Sequence, residues 1–146
     1  MSVEVITTIS PNTNEPIITR NGPSAEEVEL LPKTSAEAFK TWSKTTLAER
    51  QAIVKKALKW ISDNTDELAL EITTQMGRPI AYTAKEVATA VKRCEYLLSI
   101  SDETLKDTDG LAEKGFKRFI RKVPVGPVLV LFPWNVSHSW FWTCVL

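Results

Sequence analysis

Five consecutive apolar residues, Val128-Leu129-Val130-Leu131-Phe132, stand between Gly126-Pro127 and Pro133. An unbroken apolar run of that length, bounded by Gly and Pro, predicts a strand buried on both faces, and such strands belong mostly to parallel sheets. Pro133 has no N–H to give a sheet ladder and so ends the strand, which leaves Trp134 and Asn135 just beyond its carboxyl end. In open α/β sheets that is the end at which ligands bind. A side-chain amide beside a large aromatic is therefore a candidate site. The run also demands company, because a parallel strand reaches its neighbours only through crossover connections and is covered on both faces only by them.

Upstream the pattern is helical. Ser24-Ala25-Glu26-Glu27 forms a capping box, in which Ser24 accepts from the N3 amide while Glu27 reaches back. Val28, Leu31, Ala38, Phe39 and Trp42 then share one helical face, and Pro32 predicts a kink or two short helices. Thr46-Leu47-Ala48-Glu49 is a second box, opening a helix with Ile53, Val54, Ala57, Leu58 and Ile61 as its inner stripe. Asn64 with Glu67 starts a third, striped by Leu68, Ile72 and Met76. Gly77 ends it in the αL conformation with Pro79 just beyond. In the longest helix Ile80, Ala84, Val87, Val91, Cys94 and Leu98 recur at spacings of 4, 3, 4, 3 and 4, which is a packing seam rather than a cofactor box. Cys94 in that seam acts as a small hydrophobe; only Lys92 and Arg93 lie near enough in sequence to favour a thiolate.

The first residues predict a β-hairpin over 3–20 rather than a binding loop. Val3 to Ile9 and Ile17-Ile18-Thr19 are rich in β-branched residues, and turn formers crowd Ser10 to Pro16. Residues 101–115 predict a polar loop. Past it, Lys114, Lys117, Arg118, Arg121 and Lys122 alternate with Phe116, Phe119 and Ile120. Such a stretch can track a nucleic-acid backbone, or it can be an exposed edge strand over 112–123 kept soluble by charge. The whole chain balances 18 basic against 18 acidic residues, which favours the edge strand and calls for no nucleic-acid or anionic-membrane partner. A length of 146 residues suffices for one domain with a real core. The start carries no secretory pattern, no apolar run nears the ~18 residues of a membrane span, and Cys94 and Cys144 make no disulfide framework. A cytoplasmic chain with reduced cysteines is expected. His138 has no triad or metal-site companions, and the sequon Asn135-Val136-Ser137 is expected to be a chance match.

The segment Val123-Pro-Val-Gly-Pro-Val-Leu-Val-Leu-Phe-Pro-Trp-Asn135 resembles E-P-x-G-V-V-x-x-I-x-P-W-N-[FY]-P, which opens the dinucleotide-binding domain of the aldehyde dehydrogenase superfamily. Pro124, Gly126, Pro133, Trp134 and Asn135 stand at the pattern's positions. Residues 46–98 resemble that family's P-x-x-E-R-x-x-x-L…N-x-x-E-L-A-x-x-x-x-x-E-x-G-[KR]-P through Ala48-Glu49-Arg50, Asn64, Glu67-Leu68-Ala69 and Met76-Gly77-Arg78-Pro79, with Gln75 where an acid is common. Pro11, Asn12 and Ile17 are similar to the family's N-P-x-T-x-x-x-I hairpin. The likeness covers roughly residues 5–135, the amino-terminal part of such an enzyme.

The resemblance implies an α/β fold: a β-hairpin over 3–20, about four helices over 24–101 in the helical part of the cofactor domain, an oligomerisation-type edge strand over 112–123, and over 124–135 the first strand of a Rossmann-like parallel sheet. It implies NAD(P)-dependent oxidation of an aldehyde to a carboxylic acid, with NAD or NADP as cofactor and a homo-oligomer as the full-length form. Asn135 takes the catalytic position, donating to the substrate oxyanion, and Leu131, Phe132, Pro133 and Trp134 line the cofactor. The family's nucleophilic cysteine, general-base glutamate and phosphate-contacting glycines fall downstream; Cys144, nine residues after Asn135, is not that cysteine. Where the family continues with an aromatic and proline, Val136 and Ser137 stand instead. Residues 136–146 are read as a divergent tail, from a truncation, a retained intron or a frameshift. The 146-residue chain is accordingly expected to be inactive alone. The alternative is a non-catalytic helical module that joins other subunits through residues 3–20 and 112–123.

Overall fold

The computed structural model describes residues 4–131. Strands β1 (Val5–Ile9) and β2 (Pro16–Asn21) form the expected antiparallel hairpin, with Thr7 opposite Thr19 and a register shift between Thr8 and Ile9. Ser10 nucleates the turn: its hydroxyl accepts from the Asn12 and Thr13 amides, its carbonyl accepts from Asn14 N–H at 2.8 Å, and its own N–H donates to the Glu15 carbonyl at 2.9 Å. Asn14 sits at φ 65°, a conformation Asn tolerates better than most residues with a Cβ.

Helices α1 (Ala25–Trp42), α2 (Leu47–Asp63), α3 (Thr65–Met76) and α4 (Ile80–Leu105) follow. Both capping boxes are formed: Ser24 and Thr46 accept from the amides of Glu27 and Glu49, whose carboxylates in turn accept from the cap N–H at 2.7 Å each. Pro32 does not divide α1: of the two expectations, a kink or two short helices, the second does not hold. The carbonyl left without a partner belongs to Val28, on an exposed turn where water can satisfy it. The apolar face of α1 is also not a core face: the helix buries no residue, and of the predicted stripe only Phe39 is half-buried.

The core lies between α2, α3 and α4. Val54, Leu58, Ile61, Ile72, Val87, Cys94 and Leu98 are buried together, with Leu68, Met76 and Val91 packed around them. Two predicted stripe positions are exposed rather than buried. Ile53 is 52% exposed and Ile80 opens α4 on the surface, while Thr83 and Ala90 complete the buried face of α4. Thr83 is an unlikely core residue by type, but its hydroxyl donates to the Ile80 carbonyl at 3.1 Å and lies 3.3 Å from the Thr73 hydroxyl. Asn64 precedes α3 without capping it; its amide donates back to the Trp60 carbonyl at 2.7 Å, because α2 runs almost directly into α3. Gly77 does end α3 in the αL region, at φ 70°.

Beyond α4, Thr108–Asp109 (β3) pairs antiparallel with Phe119–Ile120 (β4). The expected polar loop over 101–115 is therefore partly the last turn of α4 and partly a strand, and the expected edge strand over 112–123 shrinks to β4. The run from Val123 onward departs most from expectation. No strand is assigned in residues 121–131, and Val125 is 97% exposed. The physical cause is the absence of a parallel neighbour: β1 pairs with β2 and β3 with β4, so nothing among the described residues offers this run a ladder or covers either face.

Candidate functional site

The route to the predicted site starts at the end of α4, where charges hold the base of the β3–β4 hairpin. Arg121, just after β4, grips Asp107 with two nitrogens: Nε lies 3.1–3.2 Å from both carboxylate oxygens and Nη2 donates to Oδ2 at 2.7 Å. The guanidinium also stacks 4.7 Å from the Phe119 ring centre. The hydrogen bonds from Arg121, helped by its charge and that of Lys117, hold the Asp107 carboxyl below the usual carboxylate range. Next in the chain, the Lys122 ammonium donates to the Thr104 carbonyl, a group the last turn of α4 leaves without a helical partner. Residue 122 is thereby tied to the last turn of α4 and residue 121 to the link that follows that helix, so the apolar run leaves from a held base.

Lys117 and Arg118 of this hairpin are also engaged within it. Arg118 pairs with Glu113 and lies 5.7 Å from the Phe116 ring centre, and Lys117 approaches Phe119 at 5.9 Å. Cations stacked on their neighbouring aromatics and paired with acids of the same hairpin match a charge-guarded edge.

Gly126 takes φ 123°, a region closed to side chains with a Cβ, although the space around its missing Cβ is open. A backbone constraint thus sits immediately before Pro127 and the run. Of the predicted site residues, Leu131 is the last described and is 83% exposed. Phe132, Pro133, Trp134 and Asn135 lie outside the described residues, as do His138 and Cys144. Two grooves among the described residues are lined by other residues. One, of about 580 Å³, runs between α2 and α4 and is floored by Leu58 and Leu98; another, of about 750 Å³, lies between the end of β2 and α1.

Cys94 is fully buried in the seam of α4, and burial pushes its thiol up, away from the thiolate a nucleophile needs. It is a core residue, as its place in the seam implied. Among the described residues no cluster of His, Cys, Asp and Glu is arranged to hold a metal ion.

Two contacts that position these elements were not read from the sequence. Gln51 of α2 donates to the Ser101 hydroxyl at 2.8 Å and to Asp102 at 2.9 Å, tying the start of α2 to the end of α4. Gly77, read only as a helix stop, also receives the hairpin turn: a Cβ there would stand 2.8 Å from Cγ of Pro11. Both join residues some 50 or more positions apart, and nothing in local spacing announces them.

Residues 1–144 match the sequence profile of the aldehyde dehydrogenase family. The match runs past Asn135 through most of the tail read as divergent. The chain is 28% identical over 127 residues to the succinate semialdehyde dehydrogenase [NAD(P)+] Sad of Escherichia coli K12, covering 87% of this chain and 27% of that protein. It is 30% identical over 135 residues to a D-glyceraldehyde dehydrogenase (NADP(+)) of Picrophilus torridus, covering 92% and 27%. It therefore spans about a quarter of the length of these relatives. Among solved structures, PnpE in complex with nicotinamide adenine dinucleotide superposes with a TM-score of 0.86 at 24% identity, over 95% of this chain and 28% of that one. A salicylaldehyde dehydrogenase from Pseudomonas putida G7, complexed with salicylaldehyde, gives 0.82 at 18%, over 93% and 28%. The fold of the described residues is thus the amino-terminal architecture of these proteins.

Proposed function

The chain belongs to the aldehyde dehydrogenase family, and from that premise we propose that it serves as the amino-terminal part of an NAD(P)-dependent oxidoreductase that converts an aldehyde to its carboxylic acid. The observation that carries this is the family match over residues 1–144, which includes Pro133-Trp134-Asn135 at the end of the apolar run. The names of the two curated relatives, acting on succinate semialdehyde and D-glyceraldehyde with NAD(P) or NADP, support the reaction class and the cofactor.

Oxidation through a covalent intermediate requires a thiolate nucleophile, a base for the deacylating water and donors for the oxyanion. In this reading Asn135 is one such donor: its side-chain amide meets the negative charge that develops on the aldehyde oxygen as the thiolate adds. The backbone from Leu131 to Trp134 lines the pocket for NAD or NADP, which when bound accepts the hydride. Cys94 is not the nucleophile, because it is sealed in the helical core. Nucleophile and base belong to the part of the family fold that follows Asn135. The reading further includes a Rossmann-like sheet begun by residues 124–135, a cytoplasmic location and a homo-oligomer; among the described residues no helix is long and apolar enough to cross a membrane.

The test is the intact mass of the endogenous protein, captured with an antibody against residues 24–98, joined to an assay of NADH or NADPH formation over an aldehyde panel. A mass well above 16.4 kDa with aldehyde-dependent turnover is expected, and Asn135→Ala should lower kcat by a factor of about 10²–10³, the usual effect of removing one oxyanion donor. A longer protein with no turnover, or an Asn135→Ala variant at full rate, overturns the assignment.

A second reading is favoured by the open edges of the β3–β4 hairpin, where Phe116 and Ile120 are exposed beside the short β4. There the chain is a non-catalytic module that joins other subunits through residues 3–20 and 112–123. An endogenous mass of 16.4 kDa, with co-purification of larger subunits, would select it.

A further inference from the structure

We draw no further inference here: the strongest candidate, the exposed apolar surface of the Val123–Leu131 run beyond the β3–β4 hairpin, carries nothing more because nothing in the structure shows what covers it.

Discussion

Replacing Gly77 by Ala tests how the hairpin is seated on the helices. Two separate penalties apply. At φ 70° the new Cβ occupies the left-handed region, which costs about 1–2 kcal/mol for an ordinary L-residue. The same Cβ would stand 2.8 Å from Cγ and 3.5 Å from Cβ of Pro11, so the turn must retreat, and overpacking of that kind typically costs a further ~1 kcal/mol or more. Gly77→Ala should therefore destabilise the protein by about 2–3 kcal/mol. The two parts separate in a double-mutant cycle. Pro11→Ala removes the nearer atom and leaves the backbone of Gly77 unchanged, so in that background Gly77→Ala should cost only the conformational part. A coupling of about 1 kcal/mol is then expected between the sites. Urea unfolding followed by far-UV circular dichroism reads both quantities. An undiminished cost in the Pro11→Ala background would refute the close approach, and a cost below about 0.5 kcal/mol would refute the αL cap as well.

In the core, Ile72 is 1% exposed and belongs to the buried cluster that α2, α3 and α4 share, so Ile72→Ala should cost about 2–5 kcal/mol. By contrast Ile53→Ala, at a half-exposed position that the sequence pattern also placed inside, should shift the urea midpoint little. Glu49 is held below the usual carboxylate range, first by its bond from the Thr46 amide and then by the Thr46 hydroxyl. Its folded-state pKa is depressed, so its contribution is present above the unfolded-state pKa and lost as pH falls through the folded one. The destabilisation caused by Glu49→Gln should accordingly be full at neutral pH and shrink in acid; a gap that widened on acidification would contradict the capping box. A thiol reagent should label Cys94 only as the protein unfolds, because the thiol is buried and pushed up. Peptide mapping separates it from Cys144, and rapid native-state labelling of Cys94 would overturn its place in the core.

What the sequence made legible is local. Ser24 and Glu27, Thr46 and Glu49, and the Gly77 helix stop all act within four residues, and each interaction is formed where its motif stands. The seam of α4 was legible for the same reason, since periodicity of 3.6 is a property of one element. The errors arise where a partner had to be known. α1 has an amphipathic pattern, yet it buries nothing, because a stripe states which residues could face a core and not whether a core is there. Ile53 and Ile80 fail in the same way, and Thr83 succeeds because Ile80 and Thr73 happen to satisfy its hydroxyl. The Pro11–Gly77 and Gln51–Asp102 contacts left no sequence signal at all.

The candidate site sits on the non-local side of that divide. The core between α2, α3 and α4 is buried within the chain, and among the described residues no buried side-chain polar atom lacks a hydrogen bond. The segment that leads to the site is the reverse, with Val125, Val128, Leu129 and Leu131 all strongly exposed. Covering a side chain of this size is worth about 1.5–3 kcal/mol, so covering these four would contribute on the order of 6–12 kcal/mol as an upper bound. That is comparable with the entire net stability of an ordinary domain. Read as an oxyanion donor, Asn135 works only if it is held within a few tenths of an ångström of the developing charge, a precision that sequence neighbours alone do not supply. In the dehydrogenase reading, the burial that completes the sheet is also what orients the amide. Catalytic geometry and the last large term of folding are then the same event, and a substitution that weakens the cover of Leu129 should reduce kcat without touching the reacting atoms.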